Sequence, residues 1–226
     1  MKNKILIITF IVISHFLFGQ TATIKDSDGW TNVRLKPNKN SEIIHIVKEG
    51  EFFFWVSPEM NENNSNWIRV YIPRNKYSLE DRNIASPTIK GYIHKSKILP
   101  VNKLSLYKGS DFHFKYLIED FDTKGKVIEY LNGNIYNING RQVYGNDMST
   151  PRKQVKEIII SINNIIIPIH SIFYEDIFEC NNNFKIYKLG DLYIVNHWNS
   201  DGAGAYEITW VIDRNGIKQR LVGTII

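Results

Sequence analysis

The sequence predicts an all-β protein in which a small curled barrel is followed by an antiparallel β domain, either a sandwich or an open barrel. Three observations predict this class. Apolar and polar residues alternate over short runs such as NWIRVYI (66–72) and FHFKYLIEDF (112–121), and such alternation is typical of half-buried strands. Gly, Asn, Asp and Pro separate these runs at short intervals, as turns do. Helical periodicity is scarce, and a composition of 43% hydrophobic and 13% aromatic residues is sufficient for a packed core.

Residues 1–19 have the pattern of a secretory signal peptide. A short lysine-containing start precedes the apolar run 5–18, and Gly19 offers a small residue at a cleavage point that would leave Gln20 as the new N-terminus. The apolar run is shorter than the roughly 20 residues that span a bilayer, which favours cleavage over an uncleaved anchor. We therefore expect export to the periplasm or the extracellular space, with no stable membrane span after cleavage.

The charge distribution argues against a nucleic-acid partner. The formal charge of +5 includes Lys2 and Lys4 of the leader, so its removal would leave +3. The remaining acidic and basic residues are interspersed, which is typical of a solvated surface and not of a nucleic-acid footprint.

Cys180 is the only cysteine of the chain. An exported chain with one cysteine has no internal disulfide, so its stability must come from its cores. No sequence signature of a catalytic cysteine surrounds Cys180, and we interpret it as a small, partly buried hydrophobic residue.

Residues 20–101 consist of short predicted strands and tight turns. Turn signals lie at 28–29, 37–38 and 48–50. The predicted strands are TATIK (21–25), TNVRL (31–35), IIHIV (43–47), EFFFWV (51–56), NWIRVYI (66–72) and the start of KGYIHKSKIL (90–99). Between the last two lies PRNKYSLEDRNIASP (73–87), a polar, Pro-bounded insertion that we interpret as a long surface loop.

Short motifs follow one another in a fixed order along this half. They are the Asp-Gly turn at 28–29, Asn32-Val33-Arg34, Pro37, Ser41-Glu42-Ile43-Ile44, the turn at 48–50, Trp67-Ile68-Arg69-Val70 and Gly91-Tyr92-Ile93-His94. This order resembles the bacterial SH3 (SH3b) domain family over residues 22–101. The resemblance implies a small SH3-like barrel at 20–101, with inward apolar groups from Val33, Ile44, Trp67, Val70 and Ile93. It also implies a module that binds peptidoglycan, its stem peptides or another envelope component, and that does not itself catalyse a reaction.

Four residues of this half are candidate ligand-binding residues. Trp30 lies beside the first turn, Trp55 ends a run of Phe residues, and Tyr92 lies in the closing strand. Aromatic rings in a cleft supply apolar contact area together with a polar edge. Arg34 has the planar fork that pairs with a carboxylate, although the same fork can brace a loop.

The sequence of residues 102–226 predicts one antiparallel β domain. Asn-Gly pairs at 132 and 139 and the Asn pair at 163 are hairpin signals. STPRKQVKE (149–157) suggests a loop with one short helical turn, and SIFYEDIF (171–178) is ambiguous between a short helix and an extended run. The chain ends in a predicted meander of FKIYKL, DLYIVNHW, AYEITWVID and IKQRLVGTI.

The stretch HWNSDGAGAYEITW (197–210) is the most distinctive of this half. Asn199, Asp201 and Glu207 offer oxygen ligands of the kind that calcium prefers, but their spacing does not match an EF-hand loop. We favour a Gly-rich turn and expect no metal or cofactor. His197 and Asp201 are retained as candidate functional residues, because both are polar and lie at this loop.

The sequence contains no P-loop, GxGxxG, His-Glu-x-x-His, Gly-x-Ser-x-Gly or CxxC motif. Three hypotheses remain, and the first is favoured. The chain is an exported binding protein for peptidoglycan or an envelope peptide or protein; or it is a periplasmic inhibitor or immunity-type protein that binds a toxin or hydrolase. The third hypothesis is a hydrolase in the second half, built from a carboxylate pair near His197.

Overall fold

The computed structural model describes residues 19–56, 66–79, 87–145, 149–200 and 204–224. The predicted all-β class is confirmed. Strands dominate the described residues, whose helices are single 3₁₀ turns at Lys95–Lys97, Val101–Lys103 and Ser171–Phe173.

Within the described ranges, the first half forms one antiparallel sheet of seven strands. The strands are β1 (Gly19–Ile24), β2 (Trp30–Arg34), β3 (Ile43–Lys48), β4 (Phe53–Val56), β5 (Trp67–Pro73), β6 (Thr88–His94) and β7 (Ile98–Pro100). Their hydrogen-bonded order is β3-β2-β6-β5-β4-β1-β7. The sequence predicts a small barrel here; the described strands form a sheet whose two ends, β3 and β7, do not pair to close it.

The inner face of this sheet has its own hydrophobic core. Val33, Val70 and Ile93 are fully buried and Ile44 packs against them, as predicted. Gly91 lies where β6 approaches β2 so closely that a Cβ atom would be 2.5 Å from Val33 Cγ1. A side chain at this position would force the strands apart, which explains a glycine in the middle of a strand.

The described residues of the second half form eleven further strands in three sheets. They are β8 (Ser105–Leu106), β9 (Phe112–Asp120), β10 (Ile128–Leu131), β11 (Asn134–Ile138), β12 (Arg141–Gln142), β13 (Lys153–Ile162), β14 (Ile165–Ile167), β15 (Lys185–Leu189), β16 (Leu192–Asn199), β17 (Tyr206–Asp213) and β18 (Gly216–Thr224). The sheet orders are β18-β17-β16-β15-β8, β14-β13-β9 and β10-β11-β12.

The predicted hairpin turns are confirmed. Asn132, Asn139, Asn163 and Asn164 all have positive φ, between 52° and 64°, a conformation that Asn tolerates better than most residues. The predicted helical turn near Pro151 is wrong, because β13 begins at Lys153 and the residues before it are irregular. The ambiguous run that begins at 171 contains a single 3₁₀ turn.

The five-stranded sheet is covered on both faces around its interior strand β17, which is buried at seven of its eight positions. One face, with Tyr206, Ile208, Trp210 and Ile212, packs against the three-stranded sheet of β9, β13 and β14. Strict alternation along the sequence is sufficient to group these four residues on one face.

The opposite face of the five-stranded sheet packs against the first half. Ile194, Val211 and Leu221 share a hydrophobic cluster with Phe52 and Val101. The two halves therefore bury a common core, and neither covers this surface alone.

The insertion that begins at Pro73 is not a free surface loop in its described part, contrary to the prediction. The carbonyl of Lys76 accepts the backbone N–H of Arg220 at 3.0 Å. The Arg220 guanidinium donates to the carbonyls of Tyr77 and Ser78, each at 3.1 Å. The Tyr77 ring packs edge-on against Phe173, 5.1 Å between centroids. This segment fastens the first half to strand β18.

Candidate functional site

The outer face of strands β5, β6 and β2 carries aromatic and basic side chains side by side. On β5, Ile68, Val70 and Ile72 point into the core, so the alternate residues point outward. We call the outward set the cation–aromatic ladder. It consists of Trp67 opposite His94, Arg69 opposite Tyr92, Tyr71 opposite Lys90, and Arg34 opposite Tyr92 on the other side.

Each ring of the ladder is covered by its cross-strand neighbour. Trp67 and His94 meet edge-on, with ring centroids 5.5 Å apart. The Arg69 guanidinium carbon lies 5.9 Å from the Tyr92 ring centroid, and Lys90 Nζ lies 5.9 Å from that of Tyr71. Cation–π attraction at such distances holds the charged groups over the rings.

Arg69 is the exposed cation at the centre of the ladder. Its Nη2 donates to the Tyr92 hydroxyl at 3.4 Å. Hydrogen bonds with the hydroxyls of Tyr92 and then Tyr71 raise the pKa of Arg69 above its usual value. Arg69 therefore carries a permanent charge in a restricted orientation.

The structure brings together two of the predicted ligand-binding residues, Arg34 and Tyr92. They are register partners on neighbouring strands. Arg34 Nη1 also donates to the carbonyl of Ser41 at 2.7 Å, so this arginine braces the loop before β3 as well as bordering the ladder.

Trp30 lies on the same sheet but at the far end of β2. Its ring is exposed, and the outward positions of the neighbouring strand β3 carry Ile43 and Ile46, which are also exposed. Asn32 stands opposite Ile46 in the register. Ile46 thus lies diagonally across the hairpin from Trp30, and Ile43 lies further along β3, opposite Arg34; we call these three exposed apolar residues the hairpin patch.

Two tryptophan assignments are corrected by the structure. Trp55 is only 7% exposed and belongs to the inner core, so its ring does not reach a ligand on the outer face. Trp67 was predicted to be a core residue and instead lies half-buried on the outer face. The reason is strand parity: Val70 points inward, and a residue three positions away points to the opposite side.

His197 is buried, with 2% exposure, and lies on the sheet face opposite Ile194. Its Nε2 lies 3.1 Å from Asn181 Oδ1, and its ring stacks near Tyr116. Burial lowers the pKa of His197 to about 4, so the imidazole is neutral at pH 7. The other ring nitrogen, Nδ1, is buried and has no hydrogen-bond partner among the described residues, so no nucleophile lies within hydrogen-bond reach of it there.

Of the three oxygen-bearing residues considered as calcium ligands, Asn199 and Glu207 do not point toward each other. Asp201 lies outside the described residues. Asn199 pairs in register with Tyr206, whereas Glu207 pairs with Trp198, so Asn199 and Glu207 point to opposite faces of the sheet. Among the residues that the structure describes, no group of three or more His, Cys, Asp or Glu side chains is placed to hold a metal ion.

Glu207 instead forms a buried polar cluster between the two halves. Its carboxylate accepts Thr21 N–H at 3.1 Å, the Thr21 hydroxyl at 2.9 Å and Asn196 Nδ2 at 2.6 Å. Asn196 also donates to the Thr209 hydroxyl at 2.8 Å. Burial raises the pKa of Glu207 to about 7. Sequence reasoning missed this role, although strand alternation already separated Glu207 from its apolar neighbours.

Two further carboxylates of the described second half, those of Asp176 and Glu179, have partners other than His197. Asp176 is paired with the fully buried Arg220, Oδ1 to Nη2 at 2.6 Å. Glu179 accepts backbone N–H groups at the start of β13. Cys180 is buried, as interpreted from the sequence, and burial raises the pKa of its thiol to about 12. Such a thiol is not a ready nucleophile at pH 7.

Comparison of the chain with protein-family models, with curated proteins and with solved structures finds no match. Within the described ranges, no helix has the length and hydrophobicity needed to cross a membrane.

Proposed function

We propose that the chain is an exported, non-catalytic binding protein whose first half is an SH3b-like module. The module recognises a cell-envelope ligand, peptidoglycan or an envelope peptide, through the cation–aromatic ladder. The observation that carries this proposal is the ladder itself, an outward row of cations and rings on an otherwise well-packed sheet.

The backbone at the motif positions supports the SH3b-like assignment. Gly29 and Gly50 have positive φ, at 73° and 82°, as the tight turns between twisted strands require. Gly91 permits the close approach of β6 and β2 described above. These three glycines explain why the motif order suits a small, strongly curved sheet.

A second candidate is a periplasmic inhibitor or immunity-type protein. The hairpin patch of Trp30, Ile43 and Ile46 favours it, because exposed apolar side chains gathered on one hairpin suit a protein partner. The two candidates differ in the ligand they require, a wall polymer or a protein.

Co-sedimentation of residues 20–226 with purified peptidoglycan sacculi tests the proposal. We expect the chain to pellet with the sacculi, and a pair of variants distinguishes recognition by the ladder from nonspecific attraction by the net positive charge, since salt screens both. The test variant is Tyr92→Ala, and its control is Tyr130→Ala, which removes an exposed tyrosine of β10 in the second half. Circular dichroism confirms that both variants are folded.

The expected result is that Tyr92→Ala remains in the supernatant while Tyr130→Ala pellets like the original chain. Pelleting that is equal for both variants contradicts recognition by the ladder. No pelleting under any condition contradicts the wall-binding proposal and favours the protein partner. Export is tested separately by the mass of the protein recovered outside the cytoplasm, which should begin at Gln20.

A further inference from the structure

The ladder offers charged groups to a ligand, because the rings are already in contact with their neighbours. Arg69 covers Tyr92, Lys90 covers Tyr71, and Trp67 is in contact with His94. A sugar ring that stacked on Tyr92 or Tyr71 would first have to displace a cation. An anion that approached the same surface would meet the cations directly.

Three basic side chains, those of Arg34, Arg69 and Lys90, surround Tyr92. Arg34 and Arg69 flank it on the neighbouring strands β2 and β5. Since adjacent strands lie about 4.8 Å apart, the backbone positions of the two arginines are separated by about 10 Å. Lys90 lies diagonally from Arg69, at a spacing of about 7 Å. This spacing suits a ligand that carries more than one negative charge.

The charged side chains of the ladder are all basic. None of the residues that define it is acidic, and Arg69 and Lys90 are exposed. Their contacts restrict both charged groups, which reduces the conformational entropy lost when they bind an anion. A guanidinium can bind a carboxylate with two parallel hydrogen bonds.

We infer that the module binds the free carboxylates of the peptide portion of peptidoglycan, and not the sugar rings of its glycan strands. This inference rests on the proposed function and specifies the ligand of the same face. Charge complementarity selects the peptide portion, because it carries carboxylates.

Sacculi whose carboxyl groups have been converted to neutral amides test the inference. Carbodiimide coupling with methylamine removes the negative charges and leaves the glycan strands intact. We expect the folded chain 20–226 to bind native sacculi and to lose about tenfold or more in affinity for amidated sacculi, since hydrogen bonds to charged groups are among the strongest in proteins.

A charge-matched pair of variants locates the effect. Arg69→Gln with Lys90→Gln removes two ladder cations, whereas Lys115→Gln with Lys185→Gln removes two exposed lysines of the second half. We expect the first pair to weaken binding to native sacculi by about tenfold or more and the second to leave it unchanged.

The outcomes separate the inference from the function on which it rests. Equal binding to native and amidated sacculi overturns carboxylate recognition and leaves wall binding in place. Equal weakening of binding to native sacculi by the two charge-matched pairs shows that the ladder is not the site of carboxylate recognition. Absence of binding to native sacculi refutes the proposed function, and the inference falls with it.

Discussion

Replacement of Glu207 by Gln should change how the stability of the protein depends on pH. Glu207 is 2% exposed and lies where β17 of the second half meets β1 of the first. Its hydrogen-bond partners, Thr21 and Asn196, are neutral. Gln has nearly the same shape but no charge, so the substitution isolates the cost of ionising this buried group.

The magnitude follows from the pKa of Glu207, which burial raises from 4.5 to about 7. One pKa unit corresponds to 1.36 kcal/mol, so ionisation in the folded state should cost about 3 kcal/mol of the free energy of unfolding. The raised pKa means that the stabilising effect of the protonated carboxyl is complete below pH 4.5. It is lost as the pH rises through 7.

Other groups also titrate, and their contributions are removed by taking the difference between the original chain and Glu207→Gln. Burial lowers the pKa of His197 from 6.5 to about 4, so its contribution runs the other way and stability rises with pH across that interval. Hydrogen bonds lower the pKa values of Asp26 and Asp111, which act at more acidic pH. These groups are present in both proteins and cancel in the difference between them.

The assay is urea unfolding at pH 5 and pH 8, followed by tryptophan fluorescence. The free energy of unfolding of the original chain minus that of Glu207→Gln should fall by about 2.5 kcal/mol between the two pH values, slightly less than the full effect because the unfolded chain is already largely ionised at pH 5. A difference that stays constant within about 0.5 kcal/mol would contradict the raised pKa of Glu207, because it would show that Glu207 does not titrate in a buried site.

Three other predictions concern packing and reactivity. Ile194→Ala should lower the free energy of unfolding by about 2–5 kcal/mol, because it leaves a cavity in the core shared by the halves; Ile165→Ala, at a residue 71% exposed, should change it by less than about 0.5 kcal/mol. Equal effects would contradict the shared core. Tyr77→Ala should cost about 1–2 kcal/mol through loss of its contact with Phe173, and an unchanged urea midpoint would mean that this segment does not fasten the halves. Cys180 should resist iodoacetamide at pH 8 until urea is added; rapid modification of the folded protein would contradict its burial.

Local sequence signals predicted the strands, the turns and part of the core. Alternation in 206–213 identified the apolar face of β17, and the Asn residues at 132 and 163 marked real turns. These features depend on neighbouring residues and on backbone conformations that few residue types tolerate. The position of Trp67 was also readable, since alternation cannot place Trp67 and Val70 on one face.

Features that depend on long-range contacts were not predictable in this way. The second face of β17 is buried because the first half covers it, and nothing local to Glu207 indicates that Thr21 will lie against it. Arg220 resembles an ordinary surface arginine in the sequence, yet it is fully buried between Asp176 and two carbonyl groups. Of the candidate site, Arg34 and Tyr92 were found from motif order, whereas Arg69 became a candidate only when the register placed it beside Tyr92.

Hydroxyl-radical footprinting is a direct test of whether the cation–aromatic ladder is the ligand-binding face. Residues 20–226 are exposed to radicals with and without soluble muropeptides, and side-chain oxidation is measured by mass spectrometry. A ligand bound on the ladder should reduce the oxidation of Trp67 and Tyr92 and leave that of Tyr130 of the second half unchanged. Protection of Tyr130 alone, or binding without protection of either ladder residue, would contradict it.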